Sequence, residues 1–353
     1  MIFSQPLLFT LAVSGSREDL PSKWAHRTAK KRERVHHLLS TLTLPPLLYP
    51  SAGSLSEIEI CTLEAPSIDW ETYQSGDPVV SGKLQPGSPR GRRKRRQVEA
   101  FVYICKEIMK GNAQNNKIVT KNNIIVDCGS GAGNLSIPLH ELIGTVLAID
   151  VNDFALAKLR DRCSSLQTLC ADLASEITLP PSATIVTSLH ACGAATDLSI
   201  RLAVRHRLPF CMSPCCTAKA MVDRTNQNKY GPAVSSQRSG APDTITYPRS
   251  MWLSTQLDMP STDYSLLAKI ADVGLGPQTP LEQRTHQFLS KVIIELDRLV
   301  GLVEENDYVV RLLRIQDHED YGKAELLLGA PRGSEAAKVI EALLCTTTNC
   351  AGK

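Results

Sequence analysis

The segment Asp127-Cys128-Gly129-Ser130-Gly131-Ala132-Gly133 sets a carboxylate two residues before three alternating glycines. Glycine allows a sharp turn and lets a ligand approach the backbone closely, because it has no Cβ and tolerates positive φ. Two more acids, Asp150 and Asp172, close later apolar runs at 146–150 and 169–172. Asp150 lies at about the distance expected of a carboxylate that grips ribose hydroxyls. Read singly, Asp150 and Asp172 are equally ordinary strand-end or capping carboxylates. A second reactive set is His190-Ala191-Cys192-Gly193 with Asp197, followed by Pro214-Cys215-Cys216. Histidine's unperturbed pKa sits near neutrality, so His190 suits a general base. It also suits a hydrogen bond to loop backbone. Cys215 or Cys216 suits covalent attack on a pyrimidine ring, or simple packing as a small thiol.

The elements that must position these groups follow from hydrophobic periodicity. Ile124-Ile125-Val126 is a β-favouring run that feeds the glycine loop, and Leu135, Leu139 and Leu142 then line one side of a helix. Strands are predicted at 146–150, 169–172, 183–189 and 209–212, with helices at 153–162 (Asp153 as N-cap) and 196–206. Before them, Val98, Phe101, Val102, Cys105, Ile108 and Met109 form a helical stripe. Helices at 262–273 and 281–305, strands at 308–315 and 324–328, and a helix at 335–344 complete the pattern. Alternating β and α elements predict a doubly wound α/β sheet. Ligands in such sheets bind outside the carboxyl ends of the strands, so both reactive sets belong at one mouth.

The form Asp-x-Gly-x-Gly-x-Gly resembles motif I of the S-adenosylmethionine-dependent methyltransferases. It departs from the dinucleotide fingerprint at Asn134, where that pattern wants glycine. The resemblance implies a Rossmann-like class I methyltransferase: a mostly parallel seven-stranded sheet with a final antiparallel strand. It implies S-adenosylmethionine held by Asp127, Gly129, Gly131, Gly133, Asp150 and Asp172, with Asp172 facing the adenine amino group. Ser188 to Leu198, with Pro214-Cys215-Cys216, is similar to a narrower group. That group includes transfer-RNA 2′-O-methyltransferases and methyltransferase-like, glutathione-transferase-C-terminal-domain-containing proteins. Arg95 to Glu99 and Glu295 to Leu299 carry the same similarity, which covers about residues 92–330. It implies that His190, Cys192, Asp197, Cys215 and Cys216 shape the transfer site. One departure is Asp320-Tyr321-Gly322-Lys323-Ala324, where the group often has a Thr-Pro-Lys-Asn-type turn. No Asn/Asp-Pro-Pro-aromatic element follows the fourth strand, which disfavours methylation of exocyclic amines.

Three regions are expected: an irregular, partly basic N-terminal extension at 1–91, a methyltransferase domain at 92–330 with a lid or binding insertion at 217–260, and a helix and tail at 331–353. A short strand is expected at 58–60. The net charge of +3 is too small to demand a polyanion, but Arg90, Arg92, Arg93, Lys94, Arg95 and Arg96 are concentrated in one strip. That strip reads as a phosphate contact, a solvated helix start or a localisation signal. RNA is the expected partner and a protein substrate the alternative. A cofactor-binding scaffold without activity is the alternative from another class. Aromatic residues make up only 5%, which argues against stacking of single-stranded bases. Eleven scattered cysteines, one pair of them adjacent, read as reduced thiols of an intracellular protein, cytoplasmic or nuclear. The first seventeen residues contain no acid, which leaves an organellar transit peptide open. No apolar run reaches the ~20 residues of a membrane span, and no membrane partner is expected. No metal is expected either: His190, Cys192, Cys211, Cys215 and Cys216 include no Cys-x₂-Cys pair, and adjacent cysteines rarely chelate one tetrahedral ion.

Overall fold

Helix α1 (Lys23–Thr41) turns Val35, Leu38 and Leu39 inward, at the i, i+3, i+4 spacing that buries one helical face. These coordinates are a computed structural model describing residues 23–50, 53–81, 84–85, 87–115, 123–217, 245–273, 278–316 and 324–343. Strand β1 (Thr62–Leu63) and the single turn α2 (Pro78–Ser81) precede the long α3 (Pro89–Asn115). Pro89 opens α3 because its fixed φ suits a first helical turn, and Gly91 N–H donates to Ser88 Oγ at 3.1 Å. The stripe Val98, Phe101, Val102, Cys105 and Ile108 is buried, as its period predicts.

Strands and helices then alternate: β2 (Ile124–Cys128), α4 (Ser136–Leu142), β3 (Val146–Asp150), α5 (Asp153–Arg162) and β4 (Gln167–Cys170). Next come β5 (Ala183–Leu189), α6 (Ala194–Arg205) and β6 (Phe210–Ser213). The chain ends in α7 (Met251–Gln256), α8 (Pro260–Ala271), α9 (Leu281–Asn306), β7 (Tyr308–Ile315), β8 (Glu325–Pro331) and α10 (Glu335–Ala342). The sheet order is β1-β7-β8-β6-β5-β2-β3-β4. From β2 the chain winds outward through β3 and β4, then returns to the other side as β5 and β6, all parallel. β8 lies antiparallel between β6 and β7. The reversal at β2 and β5 opens the crevice where such sheets bind ligands.

Strand pleating sorts the core into two layers. Ile125, Val146, Ala148 and Ile185 pack with α3, α4 and α10. Val126, Cys128, Ile149 and Val186 pack with α1, α6, α8 and α9. Each valine and isoleucine among them contributes about 1.5–3 kcal/mol when fully buried.

Four local expectations are corrected. The sheet has eight strands, because β1 pairs parallel with β7 through Thr62↔Arg314 and Leu63↔Ile315. That strand sits at 62–63 instead of 58–60, where Cys61 O accepts Arg314 N–H and Leu63 O accepts Gln316 N–H. In the described part of residues 1–91, Leu42, Leu44 and Leu55 are buried, and Arg34 clamps Asp263 with two bonds of 3.0 and 2.6 Å. The cap of α5 is Asn152, whose Oδ1 accepts the N–H groups of Phe154 and Ala155, so Asp153 is an exposed first-turn residue. β4 ends at Cys170, two residues before Asp172. Most of the expected 217–260 insertion, the turn at 320–323 and the first 22 residues lie outside the described residues. Among the described residues no helix is long and apolar enough to cross a membrane.

Candidate functional site

The loop leaving β2 turns at Gly129 (φ 68°), Gly131 (φ 55°) and Gly133 (φ 85°), a region that side chains rarely adopt. Gly129 and Ser130 both donate N–H to Ile149 O, at 2.8 and 3.1 Å, tying the loop to β3. A Cβ on Gly129 would meet the Ala191 Cβ at 3.0 Å, and one on Gly133 would meet Leu159 Cγ at 2.9 Å. Gly131 instead faces open space. A cleft of about 200 Å³ opens here, lined by Asp127, Gly129, Ser130, Gly131, Asn134 and His190 among others. Ser130 Oγ is buried on this lining and has no hydrogen-bond partner among the described residues, which leaves a polar atom for a ligand to satisfy.

Asp127 sits at the floor, 1% exposed. Ser136 Oγ donates to its Oδ2 at 2.5 Å and Thr187 Oγ1 to its Oδ1 at 3.3 Å. Burial dominates over these bonds and pushes the carboxyl up to about 7. Asp150, half-buried, accepts Gly131 N–H and Asn152 N–H, both at 2.8 Å. It thus binds the glycine loop to the end of β3. Asp172 accepts Ala174 N–H at 2.7 Å within its own turn.

On the other side of the cleft, His190 is exposed at φ 68°, unusual for a residue with a Cβ. Its backbone N–H donates to Ser213 O at 3.0 Å, and Gly193 N–H donates to Cys216 O at 3.2 Å. These bonds lace the β5 and β6 loops together. They bring three thiols into one cluster: Cys192 Sγ lies 2.7 Å from Cys215 Sγ, which lies 4.0 Å from Cys216 Sγ. Hydrogen bonds from its two neighbours favour the Cys192 thiolate, and Cys216 is pushed up in return.

Asp197 stands apart from the cleft. Its carboxylate, 1% exposed, accepts from Tyr247 Oη and Arg249 Nη1 at 2.9 Å, and from Arg298 at 3.2 and 3.3 Å. These bonds tie α6, just after the Cys192 loop, to α9. The helix α9 that carries Arg298 also buries Lys291 and Glu295. Lys291 Nζ donates to Pro214 O at 2.7 Å, and Arg298 Nη2 to Gly193 O at 3.4 Å. One helix therefore holds both cysteine loops from beneath.

Lys291, Ser130, Ser136 and Thr187 escape the sequence reading. Two signals could have found some of them. Thr187 is a polar residue inside an apolar strand and pairs in register with Asp127. Lys291, Glu295 and Arg298 are charges at helical spacing on a helix buried all round.

The basic strip divides. Arg95 is paired with Asp77 at 2.6 Å and Arg96 with Glu99 at 3.2 Å. Arg90 and Arg92 stay exposed, and Arg92 donates to Gly87 O. Lys94 is half-buried near Arg90 and Arg162; burial and then these like charges lower its pKa. Arg162 Nη1 in turn donates to Ala132 O of the glycine loop at 2.5 Å. Three cations thus gather beside that loop.

The strand order, with the glycine loop at the reversal, defines a Rossmann-like class I methyltransferase fold. Residues 93–222 match the family model of a methyltransferase domain, which supports the methyltransferase class. The glutathione S-transferase C-terminal domain-containing protein of Xenopus laevis is 26% identical over 269 residues, 75% of this chain and 38% of its own length. Its Drosophila melanogaster homolog is 27% identical over 269 residues, 74% of this chain and 40% of its own length. The chain thus spans less than half the length of these curated relatives. Among solved structures, an rRNA methylase from Streptococcus thermophilus is similar at 13% identity and a TM-score of 0.31, over 64% of this chain and 94% of that one.

Proposed function

We propose that the chain is an S-adenosylmethionine-dependent methyltransferase that acts on RNA, with transfer RNA the first acceptor to test. The cleft at the β2–β5 reversal carries this reading. It combines a glycine loop open at Gly131, a buried Ser130 hydroxyl without a partner among the described residues, and the Asp127 carboxylate in its lining. Gly129, Gly131 and Gly133 would keep the cofactor's approach clear, with Asp127 beneath it. Asp150 and Asp172 would take the ribose and the adenine. When bound, S-adenosylmethionine supplies an electrophilic methyl group. The protein then needs chiefly to align an acceptor atom with it. His190 lines the cleft and is the residue suited to take a proton from an acceptor hydroxyl. The RNA reading draws support from Arg90, Lys94 and Arg162, a cluster of like charges beside the glycine loop that suits a phosphate backbone.

The test uses tritiated S-adenosylmethionine with cell extract fractionated into RNA and protein, comparing wild type with Gly131→Arg. Label in RNA that the variant abolishes is expected. Label confined to protein would overturn the acceptor. No label in either fraction, with no binding of S-adenosylhomocysteine, would overturn the enzyme.

A further inference from the structure

Adjacent cysteines seldom chelate one ion, because extended backbone sends successive side chains to opposite sides. The chain bends just after β6, and Cys215 and Cys216 escape that rule with sulfurs 4.0 Å apart. Cys192 arrives from the β5 loop, and the three sulfurs all lie within 4.8 Å of one another, half-buried. The convergence needs no ligand to create it. Lys291 fixes Pro214 O, Arg298 reaches Gly193 O, and Thr217 N–H donates to Asp272 Oδ1 at 2.6 Å, so both loops are anchored on α8, α9 and their flanks. A cluster held this way is preorganised for binding.

We propose that Cys192, Cys215 and Cys216 form a site for one thiophilic divalent cation of the zinc class. Thiolates are soft donors that select such ions over magnesium or calcium. Zinc–sulfur bonds of about 2.3 Å set tetrahedral sulfurs a little under 4 Å apart, so the ion enters by parting Cys192 and Cys215 about 1 Å. The Cys215–Cys216 separation already fits. A disulfide between Cys192 and Cys215 would use two thiols and leave Cys216 without a task. Among the described residues no fourth protein donor joins the three, an arrangement that leaves one tetrahedral position for water or an acceptor atom. His190, two residues before Cys192 in the same loop, lines the cleft. The site stands independently of which molecule is methylated.

The test begins with the full chain purified under reductant, assayed for bound metal, then stripped and titrated with Co²⁺. A single ion per chain and a thiolate-to-cobalt charge-transfer band are expected. Cys192→Ser, Cys215→Ser and Cys216→Ser should each weaken Co²⁺ binding roughly 100-fold or more, beyond the cost of losing an outer partner. Cys170→Ser, at an exposed thiol, should leave it unchanged. Should a serine variant fail to fold, iodoacetamide labelling of the native chain decides the matter: Zn²⁺ should protect Cys192, Cys215 and Cys216 and leave Cys170 reactive. Binding that survives the serine variants, labelling indifferent to Zn²⁺, or a Cys192–Cys215 disulfide regained in the presence of Zn²⁺ would each overturn the site.

Discussion

The loop after β2 keeps its shape with its own backbone and with the neighbouring strand β3, whereas the loops after β5 and β6, laced to each other, also hang on side chains of the distant α9. Gly129 and Ser130 bond Ile149 O, and Asp150 closes the turn on Gly131. By contrast, Lys291 and Arg298 reach Pro214 O and Gly193 O from a helix about a hundred residues later in the chain. Damage to the first wall of the cleft should therefore stay local. Damage to the second should spread, because each α9 charge serves several partners at once.

The largest effect is expected at Arg298. Arg298→Met leaves Asp197 and Glu295 buried without their shared cation, and breaking such a pair costs about 3–5 kcal/mol. Urea denaturation should show a lower midpoint with little change in slope. A loss under 1 kcal/mol would mean that α9 does not carry the second wall. A smaller effect separates two glycines within the first wall. Gly133→Ala combines a left-handed backbone with an overlap on Leu159, while Gly131→Ala has the strain and free space. The left-handed conformation alone costs roughly 1–2 kcal/mol, so Gly133→Ala should destabilise more than Gly131→Ala. The order would be read from paired denaturation curves, and equal losses would remove Leu159 from the account.

The last effect is spread over pH and is read as a slope. Burial raises the Asp127 carboxyl from 3.8 to about 7 in the folded chain. Between those values the unfolded chain has released a proton that the folded chain keeps, so stability falls as pH rises through that window. Asp127→Asn should flatten part of that fall. Asp297, pushed up to about 6 by burial, should retain its own share. A wild-type slope unchanged in the variant would place the Asp127 proton elsewhere.

The same contrast explains what the sequence made legible. β2, β3, β5 and β7 end where their apolar runs end, and the glycine loop lies where its spacing requires, because short-range periodicity and φ restrictions decide both. His190 and the three thiols were named as candidates, but their meeting depends on parallel pairing of β5 with β6. Asp197 is named from its motif alone; its partners Tyr247, Arg249 and Arg298 come from distant segments that no local pattern links. Asn152 took the cap from Asp153 because its Oδ1 reaches two amides at once. β1 could not be located from its own residues, since its register is dictated by β7.

That last pairing also bears on synthesis. Thr62 leaves the ribosome long before Arg314, and Arg34 long before Asp263, so the earliest helix and edge strand wait for α8 and β7. The central β2–β6 winding can assemble in the meantime from neighbours close in sequence. Until the last quarter of the chain emerges, Leu38, Leu39 and Leu42 have no final home. The apolar face of α1 is thus a surface that a chaperone could cover until α8 and α9 emerge.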